Sequence, residues 1–121
     1  MRDYRKIKAW EFADNLAVQI YMLSKNFPKD EMFALTSQLR RAGYSVPSNI
    51  AEGAGRRTTK DFIRFLDIAK GSINEVQYFL HLARRLEYLQ AHEAEDLIAK
   101  AEETAKCLTG YIKAVESDVT K

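Results

Sequence analysis

A glycine-rich corner next to several cations is the part of this sequence best suited to binding an anion. The run Gly53-Ala54-Gly55-Arg56-Arg57 leads into a segment of helical period that begins at Thr58. Glycines let backbone amides turn towards an anion, and the first turn of a helix presents free N–H groups. We interpret the corner as a candidate phosphate-contacting surface, with a solvated rim of local ion pairs as the alternative. The candidate contacts are Arg40, Arg56, Arg57, Lys60 and Arg64.

Polar residues follow one flank of the segment before this corner and one flank of the segment after it. Because an unpaired buried polar group costs roughly 1–3 kcal/mol, such a row must find partners. The pattern predicts a hydrogen-bonded network that fixes the register of two helices. A polar pocket for a ligand, or a site for a partner's backbone, is the alternative. We call these residues the polar row: Gln38, Arg41, Ser45, Asn49, Glu52, Ser72 and Glu75.

Glu52 needs a specific partner within this row. It falls in the last predicted turn of its helix, where the helix dipole disfavours a carboxylate by about 0.3–1 kcal/mol. We expect one of the nearby arginines (Arg41, Arg56 or Arg57) or the free amides of the next helix to offset that cost.

The sequence offers no recognisable set of residues for metal binding or catalysis. The corner lacks the third glycine of a dinucleotide-binding turn and the Gly-Lys-Ser/Thr ending of a P-loop. His81 and His92 are not preceded by glutamate at the spacing of a di-iron site, and two histidines with one cysteine do not assemble a zinc site. We interpret Cys107 as a packing residue. We therefore expect no enzyme activity, no cofactor and no metal, and we identify no small-molecule substrate.

Four segments of helical period make up most of the chain. The connections between them, at residues 26–30, 53–57 and 89–91, are short enough to favour antiparallel neighbours. No stretch alternates with a period of two, which argues against a sheet. Pro47 is expected to kink the second helix rather than break it, because Gly43 leaves room for the proline ring. The sequence predicts an all-α fold, with residues 1–121 as one antiparallel up-down-up-down, left-handed four-helix bundle.

The third segment carries more apolar side chains than one bundle core uses. A second apolar set lies roughly 80–160° away from its main stripe on the helical wheel. A helix that is apolar over half its circumference is buried on more than one side. We predict that this second set meets another copy of the chain, with covering by loops or by the first few residues as the alternative. The set consists of Ile68, Phe79, Leu82, Leu86 and Leu89.

Charge is distributed unevenly along the chain. The net charge is +2, but residues 33–85 hold nine Lys/Arg against four Asp/Glu, and residues 86–121 hold four against eight. A basic middle suits RNA or DNA, and an acidic end equally suits pairing between subunits. The sequence shows no apolar run of the ~20 residues that a membrane span needs and no signal peptide. With a single cysteine, the chain fits a reducing cytoplasm, where we expect it to reside.

The residues of the second and third segments resemble a known family. The match centres on residues 38–42 (Gln-Leu-Arg-Arg-Ala) and 45–53 (Ser-Val-Pro-Ser-Asn-Ile-Ala-Glu-Gly). It extends into the third segment through Arg56-Arg57, Phe62, Phe65-Leu66, Ala69, Gly71-Ser72 and Glu75. Over nearly its whole length the chain resembles the bacterial four-helix-bundle family, some of whose members are encoded by intervening sequences within 23S ribosomal RNA genes.

This resemblance carries expectations about assembly and partners. It implies a left-handed bundle that assembles as a ring-shaped homopentamer. It also implies kinship with the accessory protein of diversity-generating retroelements, which binds nucleic acid and a reverse transcriptase. We therefore interpret the chain as a non-enzymatic, oligomeric binding or scaffolding module with RNA as a candidate ligand. The alternative is a purely structural homo-oligomeric unit with no nucleic-acid role.

Overall fold

Four long helices make up most of residues 2–120, the part of the chain that the computed structural model describes. Single turns of 3₁₀ helix at Tyr4–Lys6 and Lys29–Glu31 precede the first two of them. No strand occurs between residues 2 and 120, so the predicted all-α class is confirmed. The helices are α1 (Lys8–Ser24), α2 (Leu35–Ala54), α3 (Thr59–Arg85) and α4 (Ala91–Thr120).

Each helix packs against two others, which is the arrangement of a four-helix bundle. Both α1 and α3 lie against α2 and α4, while α1 and α3 themselves occupy a diagonal without backbone contact in the described chain. Gly53, near the end of α2, lies against Phe62 and Phe65 at the start of α3. Glu31, just before α2, bonds Tyr88, just after α3. The two helices are therefore antiparallel, as the short connections predict.

The apolar stripes predicted for the helices form the core. The whole stripe of α3 is buried, from Phe62 to Ala83, and that of α4 is buried except at the half-buried Ile98. Leu97 of α4 and Ile50 of α2 join the core beside the predicted stripes. The helical period assigns Met32 to the apolar stripe of the second helix, and this prediction is wrong. Met32 precedes the first turn of α2, and its side chain is exposed.

The two ends of α3 are set by different local structures. At the start, Thr58 Oγ1 accepts a hydrogen bond of 3.1 Å from the Asp61 N–H. The spacing of Thr58 and Asp61 in the sequence, that of a partial capping box, predicts this cap. At the other end, Glu87 adopts a left-handed conformation with φ 62°. The N–H groups of Glu87 and Tyr88 then bond the carbonyls of Arg84 and Ala83, which is the Schellman pattern.

This turn overturns one prediction about the surface of α3. Leu89 is not an interface residue: only 7% of it is exposed, and it belongs to the core cluster. The helical wheel extends α3 to residue 89, whereas the helix ends at Arg85 and the left-handed Glu87 redirects the chain. The side chain therefore points into the bundle instead of away from it.

Helix α2 runs unbroken through Pro47, in agreement with the prediction that the proline does not end the helix. Gly43 has a second role that the sequence does not reveal. A Cβ at Gly43 would lie 3.0 Å from Ile20 Cδ1 of α1. This glycine therefore lets α1 and α2 approach closely.

A hydrogen bond joins the two connections at one end of the bundle. The Tyr88 hydroxyl donates to Glu31 Oε2 at 2.6 Å, and Glu31 Oε1 accepts from the Leu35 N–H at 3.4 Å. The hydrogen bond to the Glu31 carboxylate, with a smaller effect of burial, raises the pKa of Tyr88. The phenol thus stays protonated and tethers the α3–α4 connection to the start of α2.

None of the described helices combines the length and apolar character needed to cross a membrane.

Candidate functional site

The arginine corner forms an open cleft at the end of the bundle where α2 meets α3. Arg2, Gly55, Arg56 and Arg57 line this cleft, which has a volume of about 550 Å³. Arg2 was not among the residues predicted from the sequence. Its guanidinium donates to Thr59 Oγ1 at 2.7 Å and lies 4.4 Å from the centre of the Phe62 ring. The N-terminal segment thus adds to the corner a cation, Arg2, whose position is fixed by contacts with Thr59 and Phe62.

Two of the predicted phosphate contacts are already engaged within the chain. Arg56 pairs with Glu52 at 3.1 Å and with Asp61 at 3.7 Å, and it lies 4.4 Å from the Phe65 ring centre. Arg64 pairs with Asp61 at 3.4 Å. Arg56 is therefore the partner that Glu52 requires at the end of α2.

The other two cations of the corner, Arg57 and Lys60, have no carboxylate partner within the described chain. Both side chains are exposed. A solvated cation that holds no internal carboxylate loses less on binding a phosphate than one that must break a pair. Arg57 lines the cleft together with Arg2, and Lys60 follows in the first turn of α3.

Arg40 does not belong to this corner. Its Nε donates to Ser24 Oγ at 2.8 Å, and its guanidinium lies 4.7 Å from the Tyr21 ring centre, on the side where α1 meets α2. The rise of an α-helix places it roughly 20 Å from the end of α2. Arg40 was grouped with the corner for its charge alone, without regard to this distance along the helix axis.

The middle of the polar row forms the hydrogen-bonded link between α2 and α3. The hydroxyls of Ser45 and Ser72 lie 2.8 Å apart, and Asn49 Nδ2 donates to Ser45 Oγ at 3.0 Å and to the Ser45 carbonyl at 2.8 Å. Ser72 is buried and Asn49 half-buried. The bond between Ser45 and Ser72 joins the two helices, and together the three bonds satisfy polar groups at the contact.

Several residues of the polar row line a small polar cleft on the surface between α2 and α3. Its volume is about 240 Å³. Arg41 of α2 and Glu75 of α3 both line it, and neither forms an ion pair with any described residue. The row therefore combines a satisfied centre with two charges that are free to pair elsewhere. The cleft is lined by Gln38, Arg41, Ala42, Ser45, Ser72 and Glu75.

The predicted second apolar set of α3, except for Leu89, lies on the same side of that helix as Glu75, which precedes Phe79 by one turn. Ile68 is 48% exposed and Leu86 45% exposed. Phe79 and Leu82 are half-buried and also pack against the core. We call these four residues the α3 outer face.

A second exposed apolar region was not anticipated from the sequence. It occupies the second half of α1 and the connection that follows, and Phe33 within it is 95% exposed. Val18, Tyr21 and Met22 fall away from the buried stripe of α1, a wheel pattern that could have identified them. We call this region the α1 surface: Val18, Tyr21, Met22, Met32 and Phe33.

The described residues include no group of three His, Cys, Asp or Glu placed to hold a metal ion. Cys107 is half-buried in α4, and burial raises the pKa of its thiol. It therefore stays in the protonated, weakly nucleophilic form.

Comparisons with known proteins agree on one family. The family model of the 23S rRNA-intervening sequence protein matches residues 5–110. A crystal structure from Bacteroides thetaiotaomicron, of a protein with unknown function from the S23 ribosomal protein family, is 31% identical in sequence. It superposes with a TM-score of 0.80, and the match covers 87% of this chain and 95% of that one. No curated protein matches. The chain belongs to the 23S rRNA-intervening sequence protein family.

Proposed function

We propose that this protein is a homo-oligomeric binding module whose copies associate through the α3 outer face. The observation that carries the proposal is the exposure of that face. Ile68 and Leu86 are nearly half exposed, while Phe79 and Leu82 beside them are only half-buried. Burying apolar surface contributes about 25 cal/mol per Å², so several such side chains on one helix favour association.

The polar row gives this association its specificity. Arg41 and Glu75 lie next to the α3 outer face without ion-pair partners in the described chain. When the face is covered, both charges lose water and must pair, because an unpaired buried charge is costly. A partner that offers matching charges is therefore selected over one that offers only apolar surface. We extend the proposal to a ring-shaped homopentamer, the assembly that the family resemblance implies.

Replacing Ile68 with aspartate should dissociate the oligomer. Ile68 lies outside the core, so the change places a charge in the interface without opening a cavity in the bundle. We expect size-exclusion chromatography with light scattering to give a multiple of 13.9 kDa for the unchanged protein and 13.9 kDa for the variant. Circular dichroism should show the same helix content for both.

Ala114→Asp is the matched control for this experiment. Ala114 is an exposed position on α4, away from the α3 outer face, and the change introduces the same charge. The control should keep the oligomer intact. An unchanged protein that runs as a single chain at micromolar concentration would overturn the proposal.

A second candidate function is nucleic-acid binding at the arginine corner. The observation that favours it is the open cleft in which Arg2 is held against Phe62 while Arg57 and Lys60 have no internal ion pair. Guanidinium and ammonium groups contact phosphates and release counterions from the nucleic acid. An oligomer would present several such corners, so that one RNA molecule could engage more than one of them.

The combined change of Arg57 and Lys60 to glutamine tests this function. For single-stranded RNA the logarithm of the affinity falls with the logarithm of salt by about 0.7 per phosphate contact, so the variant should lower that slope by about 1.4. Fluorescence anisotropy at several salt concentrations measures it. The control, Lys29→Gln with Arg85→Gln, removes the same charge at the opposite end of the bundle. If the RNA affinity does not change with salt concentration, or if no RNA binds even at low salt, this candidate function is wrong.

A further inference from the structure

The chain carries two exposed apolar regions, and they lie on different sides of the bundle. The α1 surface includes Met22 and Val18, which are 58% and 56% exposed, besides Phe33. The α3 outer face lies on the helix diagonal to α1, and the two helices share no backbone contact in the described chain. The regions are therefore separate surfaces and cannot cover each other within one copy.

Because the two regions are separate, only certain contacts between copies can bury both of them. Pairing two α3 outer faces would cover one region in each copy and leave the α1 surface exposed. Pairing unlike regions, in contrast, uses both in every copy. A contact between unlike surfaces repeats around a ring until the ring closes.

We propose that the α1 surface is the docking site for the α3 outer face of a second copy. This inference rests on the proposed function, because it takes the α3 outer face as one half of the interface and assigns the other half. It identifies the partner of the α1 surface as this same chain.

The two regions carry unpaired charges of opposite sign. Lys25 follows Met22 by one helical turn, with its Nζ 3.9 Å from the Met22 sulfur, and it forms no ion pair in residues 2–120. Glu75 precedes Phe79 by one turn and likewise forms no ion pair within the described chain. Each region thus combines apolar side chains with a charge on or directly after its own helix that needs an opposite charge when water is excluded. Arg41, the other unpaired charge near the α3 outer face, lies on α2.

A mixing experiment tests the assignment. Met22→Asp disables the α1 surface but leaves the α3 outer face, and Ile68→Asp does the reverse. Each variant alone should run as a single chain in light scattering. A mixture of the two should form a species of two chains, since the intact face of one fits the intact surface of the other. Ala114→Asp again serves as the control that keeps full assembly.

The outcomes separate this inference from the proposed function. If Ile68→Asp stays fully assembled, the proposed function fails. If Ile68→Asp dissociates while Met22→Asp stays assembled, the α3 outer faces pair with each other. This inference then fails, and of the proposed function only the ring-shaped pentamer fails with it, because a ring needs contacts between unlike surfaces. If both dissociate and the mixture remains single chains, the two regions do not bind each other and the inference fails as well.

The two-chain species also allows the charge pair to be measured. Lys25→Glu is added to the Ile68→Asp chain, or Glu75→Lys to the Met22→Asp chain. Each single reversal should raise the dissociation constant of the pair about tenfold, and the double reversal should bring it back to within about threefold. Additive losses in the double reversal would show that Lys25 and Glu75 do not meet, and would overturn the assigned orientation.

Discussion

Replacing Gly53 with alanine is expected to lower the free energy of unfolding by about 3 kcal/mol, at the upper end of typical overpacking effects. A Cβ at this position would lie 2.6 Å from Phe65 Cβ, 3.0 Å from Phe62 Cδ1 and 3.3 Å from the Phe62 carbonyl oxygen. Two of these atoms are fixed by the backbone of α3, so no rotamer change can relieve the contact. The end of α2 must move away from the start of α3, and the arginine corner moves with it.

Urea unfolding at one fixed protein concentration measures the effect, because assembly makes apparent stability depend on concentration. Gly110→Ala is the matched control. A Cβ there meets nothing within 4 Å, and Gly110 is an exposed residue far from either end of α4. Alanine at such a site stabilises a protein by about 0.4–1 kcal/mol. The two substitutions should therefore shift the midpoint in opposite directions. Equal shifts of the same sign would show that Gly53 is not a close-approach position.

The architecture could be predicted because helix periodicity is a local property. The stripe of α3, its Thr58 cap and the antiparallel order all follow from spacing and short connections, and the structure reproduces them. The role of Gly53 could not be predicted. In the sequence it resembles a loop glycine at the start of the corner, whereas α2 continues to Ala54 and the corner begins at Gly55. Only the close packing of α2 against α3 in the structure shows why Gly53 cannot carry a side chain.

The candidate site shows the same division between local and long-range information. The wheel places Ser45 and Ser72 on facing flanks, and the structure brings their hydroxyls together. Arg40 was grouped with the corner for its charge alone, whereas the rise of α2 puts it near the other end of that helix. Arg2 was missed for a different reason. Its contact with Thr59 joins residues that are 57 positions apart, and no periodic pattern connects an N-terminal segment to the start of α3.

Phe62→Ala is the second substitution with a large expected effect. The ring is fully buried between the helices and lies 6.1 Å from the Tyr111 ring centre. Truncating a buried phenylalanine costs about 3–5 kcal/mol, from lost apolar burial and the cavity left behind. We expect the urea midpoint to fall accordingly, with the oligomer and the RNA affinity both affected through partial unfolding.

Phe62→Leu separates the structural role of this ring from its role in the corner. Leucine keeps most of the apolar volume, so the loss of stability should be below about 1.5 kcal/mol. It removes the ring that lies 4.4 Å from the Arg2 guanidinium, and with it the cation–π contact that orients the arginine. If Arg2 contacts phosphate, the Leu variant should therefore bind RNA more weakly while it keeps its fold and its oligomeric mass. If its affinity equals that of the unchanged protein, Arg2 only anchors the N-terminal segment, and phosphate binding would fall to Arg57 and Lys60 alone.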